Sequence, residues 1–212
     1  MVIITGMVQG KRHKDRYNIY VDDEFWGVLL DETIIKNGLH SGMEIDNLEL
    51  VKIVEENNMQ LAKTELFGYL SKMMKSEKEA RNYLYGKGYT KPIIANAIAK
   101  AREYKLLDDT IYAKAYVNTY KANKGSKKLR YELENKGIGA DIIESCIANM
   151  DYDEELENCK NIVEKFVNRY EKIDYKTLMK LKRKLLASGY SYDMINRATC
   201  DIELSKDEEI DE

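Results

Sequence analysis

Two stretches of this chain carry positive charge at spacings that suit the face of a helix. Lys176, Lys180, Arg183 and Lys184 stand at i, i+4, i+7 and i+8, while Leu178, Leu181 and Leu185 form a separate apolar stripe. Lys121, Lys124, Lys127, Lys128 and Arg130 form a second group where one helical segment gives way to the next. Ammonium and guanidinium heads in such rows are chemistry for a polyanion, because each neutralises a phosphate or carboxylate and releases its counterion. A solvated face explains one such helix taken alone. Recurrence at matching places, Lys124 and Lys128 against Lys176 and Lys180, points instead to a partner-facing surface. Its expected members are Lys124, Lys127, Lys128, Arg130, Lys176, Lys180, Arg183 and Lys184. Neutralising about four to six phosphates would make log affinity fall against log salt with a slope on the order of −3 to −5. Lys11, Arg12, His13, Lys14 and Arg16 form a third basic group in a turn between strands, where charge also keeps an edge soluble. Elsewhere Lys75, Lys78 and Arg81 are interleaved with Glu77 and Glu79 and show no such bias.

Other reactive residue types lack the company that catalysis needs. Asp108-Asp109 has no histidine, third carboxylate or glycine loop beside it. It reads as the start of a helix, with Asp109 capping a helix from Thr110 and Asp108 favouring its positive end. Asp22, Asp23 and Glu24 read as hairpin-turn residues rather than metal ligands. His13 and His40 are the only histidines, and neither has a cysteine or second histidine at ligand spacing. Lys124-Gly125-Ser126 lacks the upstream glycine and strand of a phosphate loop, and there is no GxSxG. The expectation is a non-enzyme with no cofactor and no metal. Tyr69, Tyr112, Tyr116, Tyr120 and Tyr170 lie on apolar stripes and read as core residues with the hydroxyl at the rim, whereas Tyr131 is a candidate for base stacking.

The elements that must position these residues follow from composition and pattern. The chain has 212 residues, 44% hydrophobic and 33% charged, with a single proline, which excludes collagen-like and proline-rich disordered classes. No run approaches the ~20 apolar residues needed to span a bilayer, and MVIITGMVQGKRHK has too short an apolar stretch for a signal segment. Three widely spaced cysteines, Cys146, Cys159 and Cys200, suit a reducing compartment, and the chain is expected to be cytoplasmic, with no membrane partner. Net charge is −3, yet from Asp201 onward seven acids oppose only Lys206, a local −6 that leaves +3 on residues 1–200. The acidic end reads as a solvated terminus that also suits screening of a basic surface.

Residues 2–30 alternate in the manner of strands, with Asp22-Asp23 as a two-residue hairpin turn between Tyr17–Val21 and Phe25–Leu29. A short helix over 31–36 ends at Asn37-Gly38, and Ser41-Gly42 turns the chain. Asp46 then caps a helix through Leu48, Val51 and Val54. From about Leu61 the pattern is helical and repeats. Leu84-Tyr-Gly-Lys-Gly88-Tyr89 recurs as Leu133-Glu-Asn-Lys-Gly137-Ile138 and, more loosely, as Leu185-Leu-Ala-Ser-Gly189-Tyr190, each followed by an apolar pair. The glycines are 49 and 52 residues apart, the signature of stacked supersecondary units. Each glycine stops an amphipathic helix in the left-handed region. The architecture expected is mainly α: three tandem three-helix repeats preceded by a small strand-rich domain of β-hairpin and short helices. Expected boundaries are 1–58 for that domain, 59–108, 109–153 and 154–203 for the repeats, and 204–212 for the acidic tail.

Ser76-Glu77-x-Glu79, Leu84-x-x-Lys87-Gly88-Tyr89, Leu106-Leu107-Asp108-Asp109-x-x-Tyr112-Ala113, Lys124-Gly125 and Glu132-Leu133-x-x-Lys136-Gly137-Ile138 occur in an order and spacing that resembles the RecX family of recombination regulators. The resemblance covers about residues 59–200. The internal repeat and this pattern together make Gly88, Gly137, Gly189, Asp108 and Asp109 the repeat-defining residues, and the third unit matches the family pattern weakly. Two positions depart from the pattern: Met74 replaces an arginine, and Lys105 replaces the glycine that usually stops the helix before Leu106, which implies a turn built differently here. The resemblance implies binding to the RecA recombinase, chiefly its filament on single-stranded DNA. The implied outcome is modulation, usually inhibition, of strand exchange, ATP hydrolysis and cleavage of the SOS repressor, and so a place in homologous recombination and DNA repair. A row of three-helix units, expected to be monomeric, suits the groove of a helical filament. The alternative is a stand-alone binder of single- or double-stranded DNA built of helix-turn-helix-like modules. Lys91-Pro92-Ile93, Ala140-Asp141-Ile142 and Tyr192-Asp193-Met194 are poor material for base edges at the starts of its reading helices. A passive scaffold is the third reading. Reversal of Lys128, Lys180 and Arg183 to Glu is expected to weaken filament inhibition without lowering the melting temperature.

Overall fold

The computed structural model describes residues 1–204, and the acidic tail expected over 204–212 lies, beyond Leu204, outside the described residues. The chain divides into two compact units, Met1–Leu107 and a second beginning at Asp108.

In the first unit, β1 (Val2–Gln9), β2 (Arg16–Val21), β3 (Glu24–Leu30) and β4 (Glu44–Ile45) form an antiparallel sheet in the order β3-β2-β1-β4. The β2–β3 turn is Asp22-Asp23, with φ of 50° and 69°. Left-handed backbone at both central residues is the type I′ form of a two-residue hairpin, and aspartate tolerates it better than most residues. β4 pairs only Val2 with Ile45 and Ile3 with Glu44, too short a segment to leave a period-two pattern in the sequence. Ile4, Ile19, Val21 and Leu29 bury one sheet face against Leu50 and Ile53. The short helix α1 (Asp31–Lys36) closes the end of β3.

The expected boundary at 58/59 falls inside a single helix, α2 (Asn47–Leu70). Asp46 caps it, accepting from the Leu48 and Glu49 amides at 3.0 and 3.3 Å. Its first half packs on the sheet, and its second half supplies Leu61, Ala62, Leu66 and Leu70, the last three of which join α3 (Glu77–Gly86) and α4 (Lys91–Glu103) in one core. At the middle sits Asn57, fully buried. Its carboxamide accepts from the Leu30 amide at 2.8 Å and the Thr33 hydroxyl at 3.1 Å, and donates to the Val28 carbonyl at 2.9 Å. One side chain thus serves the outward donor and acceptor of edge strand β3, which would otherwise be orphaned as α2 covers them.

The second unit holds two three-helix sets: α5 (Asp109–Tyr120), α6 (Ser126–Asn135) and α7 (Ala140–Ala148), then α8 (Tyr152–Val167), α9 (Tyr175–Ala187) and α10 (Tyr192–Ala198). Each set closes its own core, around Leu129, Leu133 and Ile143 in the first and Leu181, Leu185 and Tyr190 in the second. Gly88, Gly137 and Gly189 have φ of 86°, 79° and 90°. After each, the next amide donates back to a carbonyl one turn earlier: Tyr89 to Leu84, Ile138 to Leu133 and Tyr190 to Leu185. This is the Schellman stop, with the residue after the glycine folded onto the helix it ends.

Two local expectations are corrected. Asp108, not Asp109, is the N-cap of α5, accepting from the Thr110 and Ile111 amides at 2.8 and 3.0 Å, because the helix starts one residue earlier than expected. Lys105 does not change the turn after α4. It adopts φ of 55°, and Leu106 donates to Ala101 at 2.9 Å, so a lysine carries the same left-handed stop that glycine makes without strain.

Candidate functional site

The eight expected basic residues lie on α6, α9 and the turn before α6, and their surroundings divide them. Lys124 is committed internally. Its ammonium donates to Glu132 at 2.6 Å and sits 4.2 Å above the Tyr120 ring centroid. The Tyr116 hydroxyl donates to the same Glu132 oxygen at 2.8 Å. Burial pushes the Glu132 carboxyl upward, but the Lys124 and Tyr116 hydrogen bonds outweigh it and leave it below the ordinary carboxylate range. The same arrangement, burial first and then the hydrogen bond to Glu132, raises the Tyr116 hydroxyl. Lys136 lies over the rings of Tyr112 and Tyr116. This tyrosine–lysine–glutamate cluster holds α5 to α6, and nothing in the sequence spacing distinguishes Lys124 from its free neighbours. Arg130 is forked onto Glu144 of α7.

The remaining six, Lys127, Lys128, Lys176, Lys180, Arg183 and Lys184, enter no ion pair among the described residues. Lys127, Lys176, Lys180, Arg183 and Lys184 are exposed. Lys128 is half-buried, its ammonium 5.7 Å from the Tyr131 ring centroid. On α9 the separation is enforced by the helix: Leu181 and Leu185 are fully buried, and the four cations project elsewhere. Asp174 caps this helix through the Thr177 amide at 2.7 Å, and hydrogen bonds from the Thr177 hydroxyl first and then from its amide hold the carboxyl below the usual range.

What fixes α6 against α9 is a junction of two glycines. The Gly125 amide donates to the Ser188 carbonyl at 2.9 Å, so the C-terminal end of α9 meets the N-terminal end of α6. A Cβ on Gly125 would come within 2.6 Å of the Gly189 carbonyl, and one on Gly189 within 2.3 Å of the Lys128 nitrogen. Backbone rests on backbone, which only glycine permits. The buried Glu155 of α8 completes the joint by accepting from the Ser126 amide at 2.7 Å. Glu155 therefore occupies the anion position at the start of α6 from within the molecule. Asn158 adds a bond to the Lys121 carbonyl at 3.3 Å, and Lys121 pairs with Glu154 at 2.6 Å. Lys127 and Lys128 on one side of the junction, and Arg183 and Lys184 on the other, lie in the turns that flank it. Sequence reasoning marked Gly189 as a helix stop but had no signal for its contact with Gly125, since that contact depends on tertiary packing.

Among the described residues no cluster of three or more His, Cys, Asp or Glu side chains could hold a metal ion, and no helix is long and apolar enough to cross a membrane.

Comparison with known proteins follows the same division of the chain. Residues 2–46 match the family model of the regulatory protein RecX N-terminal domain, 108–147 that of the RecX second three-helix domain, and 153–199 that of the third. Regulatory protein RecX of Halalkalibacterium halodurans is 34% identical, with 99% of this chain and 81% of that protein covered. The protein of the same name from Clostridium perfringens is 35% identical over 91% of this chain and 92% of its own length. That from Bacillus subtilis is 30% identical over 99% and 80%. A crystal structure of regulatory protein RecX superposes with a TM-score of 0.67 at 24% identity, covering 95% of this chain and all of the other. That of RecX from Lactobacillus salivarius gives 0.62 at 27%, covering 69% and 97%.

Proposed function

The chain belongs to the RecX family of regulatory proteins, and from that premise we propose that it binds the RecA filament on single-stranded DNA and modulates it, in the inhibitory direction, without catalysis of its own. In this reading it works in the cytoplasm as a monomer, and the cations flanking the α6–α9 junction face the filament. The observation that carries the proposal is the glycine junction, because it holds two sets of unpaired cations in one fixed relation. Preorganised charge loses little entropy on binding, and a row of weak contacts gains through effective concentration. Lys124 and Arg130 already have carboxylate partners, so the contribution rests on the other six.

Lys127→Glu, Lys180→Glu and Arg183→Glu together provide the test. All three side chains are exposed, whereas Lys128 is wedged by its backbone against Gly189 and is left unchanged. The triple variant is expected to melt with the wild type and to lose inhibition of strand exchange and of ATP hydrolysis by the purified filament. For about four to six neutralised phosphates, wild-type affinity should fall with a log–log salt slope on the order of −3 to −5, shallower in the variant. Unchanged inhibition with an unchanged slope refutes the placement. Equal binding of both proteins to bare single-stranded DNA, with no binding to the filament, favours a stand-alone nucleic-acid binder.

A further inference from the structure

The exposed face of the first unit has a feature that the basic surface does not account for. The β2–β3 ladder slips between Ile19 and Tyr20: Ile19 pairs with Gly27, Tyr20 with Phe25, and Trp26 is the extra residue. A bulge of this kind bends the strand and re-aims its side chains. Phe25 is 60% exposed and Trp26 39%, side by side at the tip of the hairpin. Phe25 is not loose. The Tyr20 ring meets it edge to face, with centroids 6.0 Å apart at 73°. Tyr20 in turn lies over Gly6, where a Cβ would touch the ring at 3.4 Å. An exposed ring held in place by its neighbours, as Phe25 is, has little order left to lose, the condition under which an aromatic acts as an anchor in an interface.

The charge around this tip is negative. Asp22, Asp23 and Glu24 are all exposed and enter no ion pair among the described residues, while the basic loop Lys11–Lys14 lies at the opposite end of the β1–β2 ladder. Carboxylates beside the rings repel a phosphate backbone, which disfavours base stacking here. Strand addition is also blocked. The bulge breaks the edge at Trp26, and Asn57 already takes the Val28 carbonyl and the Leu30 amide. Recognition at this edge must therefore run through side chains.

We infer that Phe25 and Trp26 form a docking knob for a protein surface that offers an apolar pocket edged by lysine or arginine. The inference rests on the function proposed above, and the partner is the protein component of the same filament, met here through the first unit.

Trp26 is the only tryptophan of the chain, so the full-length protein labelled with 5-fluorotryptophan gives one fluorine resonance that reports on the knob alone. The resonance should shift or broaden with the purified filament and stay still with single-stranded DNA alone. The Phe25→Ala, Trp26→Ala pair should weaken filament binding on the order of tenfold and leave DNA binding as it was. Asp23→Asn with Glu24→Gln should weaken it by less, with the difference vanishing in high salt. Asp22 is spared because its carboxylate accepts from the Ile3 amide at 3.1 Å. Filament binding, followed by co-sedimentation, that leaves the resonance unmoved overturns the inference while sparing the proposed function. A shift with DNA alone overturns it in favour of base stacking. A wild-type chain that does not bind the filament overturns both.

Discussion

Three glycine-to-alanine changes separate the two demands that the repeats place on glycine. Gly88 has φ of 86° and open space where a Cβ would go, so Gly88→Ala costs only the left-handed backbone, about 1–2 kcal/mol. Gly125 has an ordinary φ of −76°, but its Cβ would sit 2.6 Å from the Gly189 carbonyl. Gly125→Ala therefore costs only the clash, about 1–3 kcal/mol by analogy with overpacked cores. Gly189 carries both burdens, with φ of 90° and a Cβ contact of 2.3 Å to the Lys128 nitrogen, and its alanine variant should lose about 2–5 kcal/mol. Urea titrations followed by circular dichroism measure the losses. Amide exchange at Gly125 and Ser126 shows whether the bonds to Ser188 and Glu155 have opened. Filament affinity completes the pattern: Gly88→Ala should keep it, and the two junction variants should lose it together. A Gly125→Ala protein within about 0.5 kcal/mol of wild type, its amides still protected, would refute the backbone contact and the fixed relation of α6 to α9 built on it.

Lys105→Gly should stabilise the first unit by about 0.5–1 kcal/mol in the same titration, since it relieves φ of 55° at a stop whose hydrogen bonds stay the same. Alkaline pH should unfold the protein earlier than exposed tyrosines would allow. Burial, reinforced by Glu65, pushes the Tyr89 hydroxyl up to about 12, and burial also raises Tyr116 and Tyr190. A phenol whose folded pKa lies above its unfolded value stabilises fully below about pH 10 and loses that contribution as pH climbs toward 12. Phenolate absorbance should show a late-ionising fraction that appears together with loss of helix, and a single ordinary titration before unfolding would contradict it.

The parts of this fold legible in the sequence are those written in local residue chemistry. Asp22-Asp23, Asp46 and the three stop glycines announce themselves because each answers a backbone demand within a few residues. The failures share a physical cause. The expected boundary at 58 lies within α2, near where that helix changes partner from sheet to helices, and a change of partner is not a break in the helix. Lys105 looked unfit for a left-handed stop because glycine is cheaper there, yet the packing around Leu107 of the core beyond it sets the backbone regardless. Gly125 reads in the sequence as a rejected phosphate-loop fragment and as one member of the family pattern, whereas its reason for being glycine lies in a partner 64 residues further on. For the basic surface, spacing identified the charges but not their partners. Lys124 and Lys128 look alike in sequence, and only the structure shows one bonded to Glu132 and the other beside the Tyr131 ring with no ion pair among the described residues.

That difference in pairing extends along the chain and bears on how a polyanion would be met. In the first unit Arg81 and Arg102 share Glu77, Lys87 leans on Glu65 at 3.8 Å, and Lys100 pairs with Glu103 at 2.8 Å. Cations of α3, α4 and the turn between them are thus largely answered within the unit, while those of α9 are not. The helix ends do not compensate, because Glu155 fills the anion position of α6 and Asp108, Asp151 and Asp174 fill those of α5, α8 and α9. With the amides of these helix starts taken, an anion meeting α5, α6, α8 or α9 is left to bind through lysine and arginine heads on flexible stems. Such contacts are individually weak, steeply salt-dependent and fast to form. A protein using them needs several in register, and what the glycine junction fixes is the N-terminal end of α6 against the C-terminal end of α9.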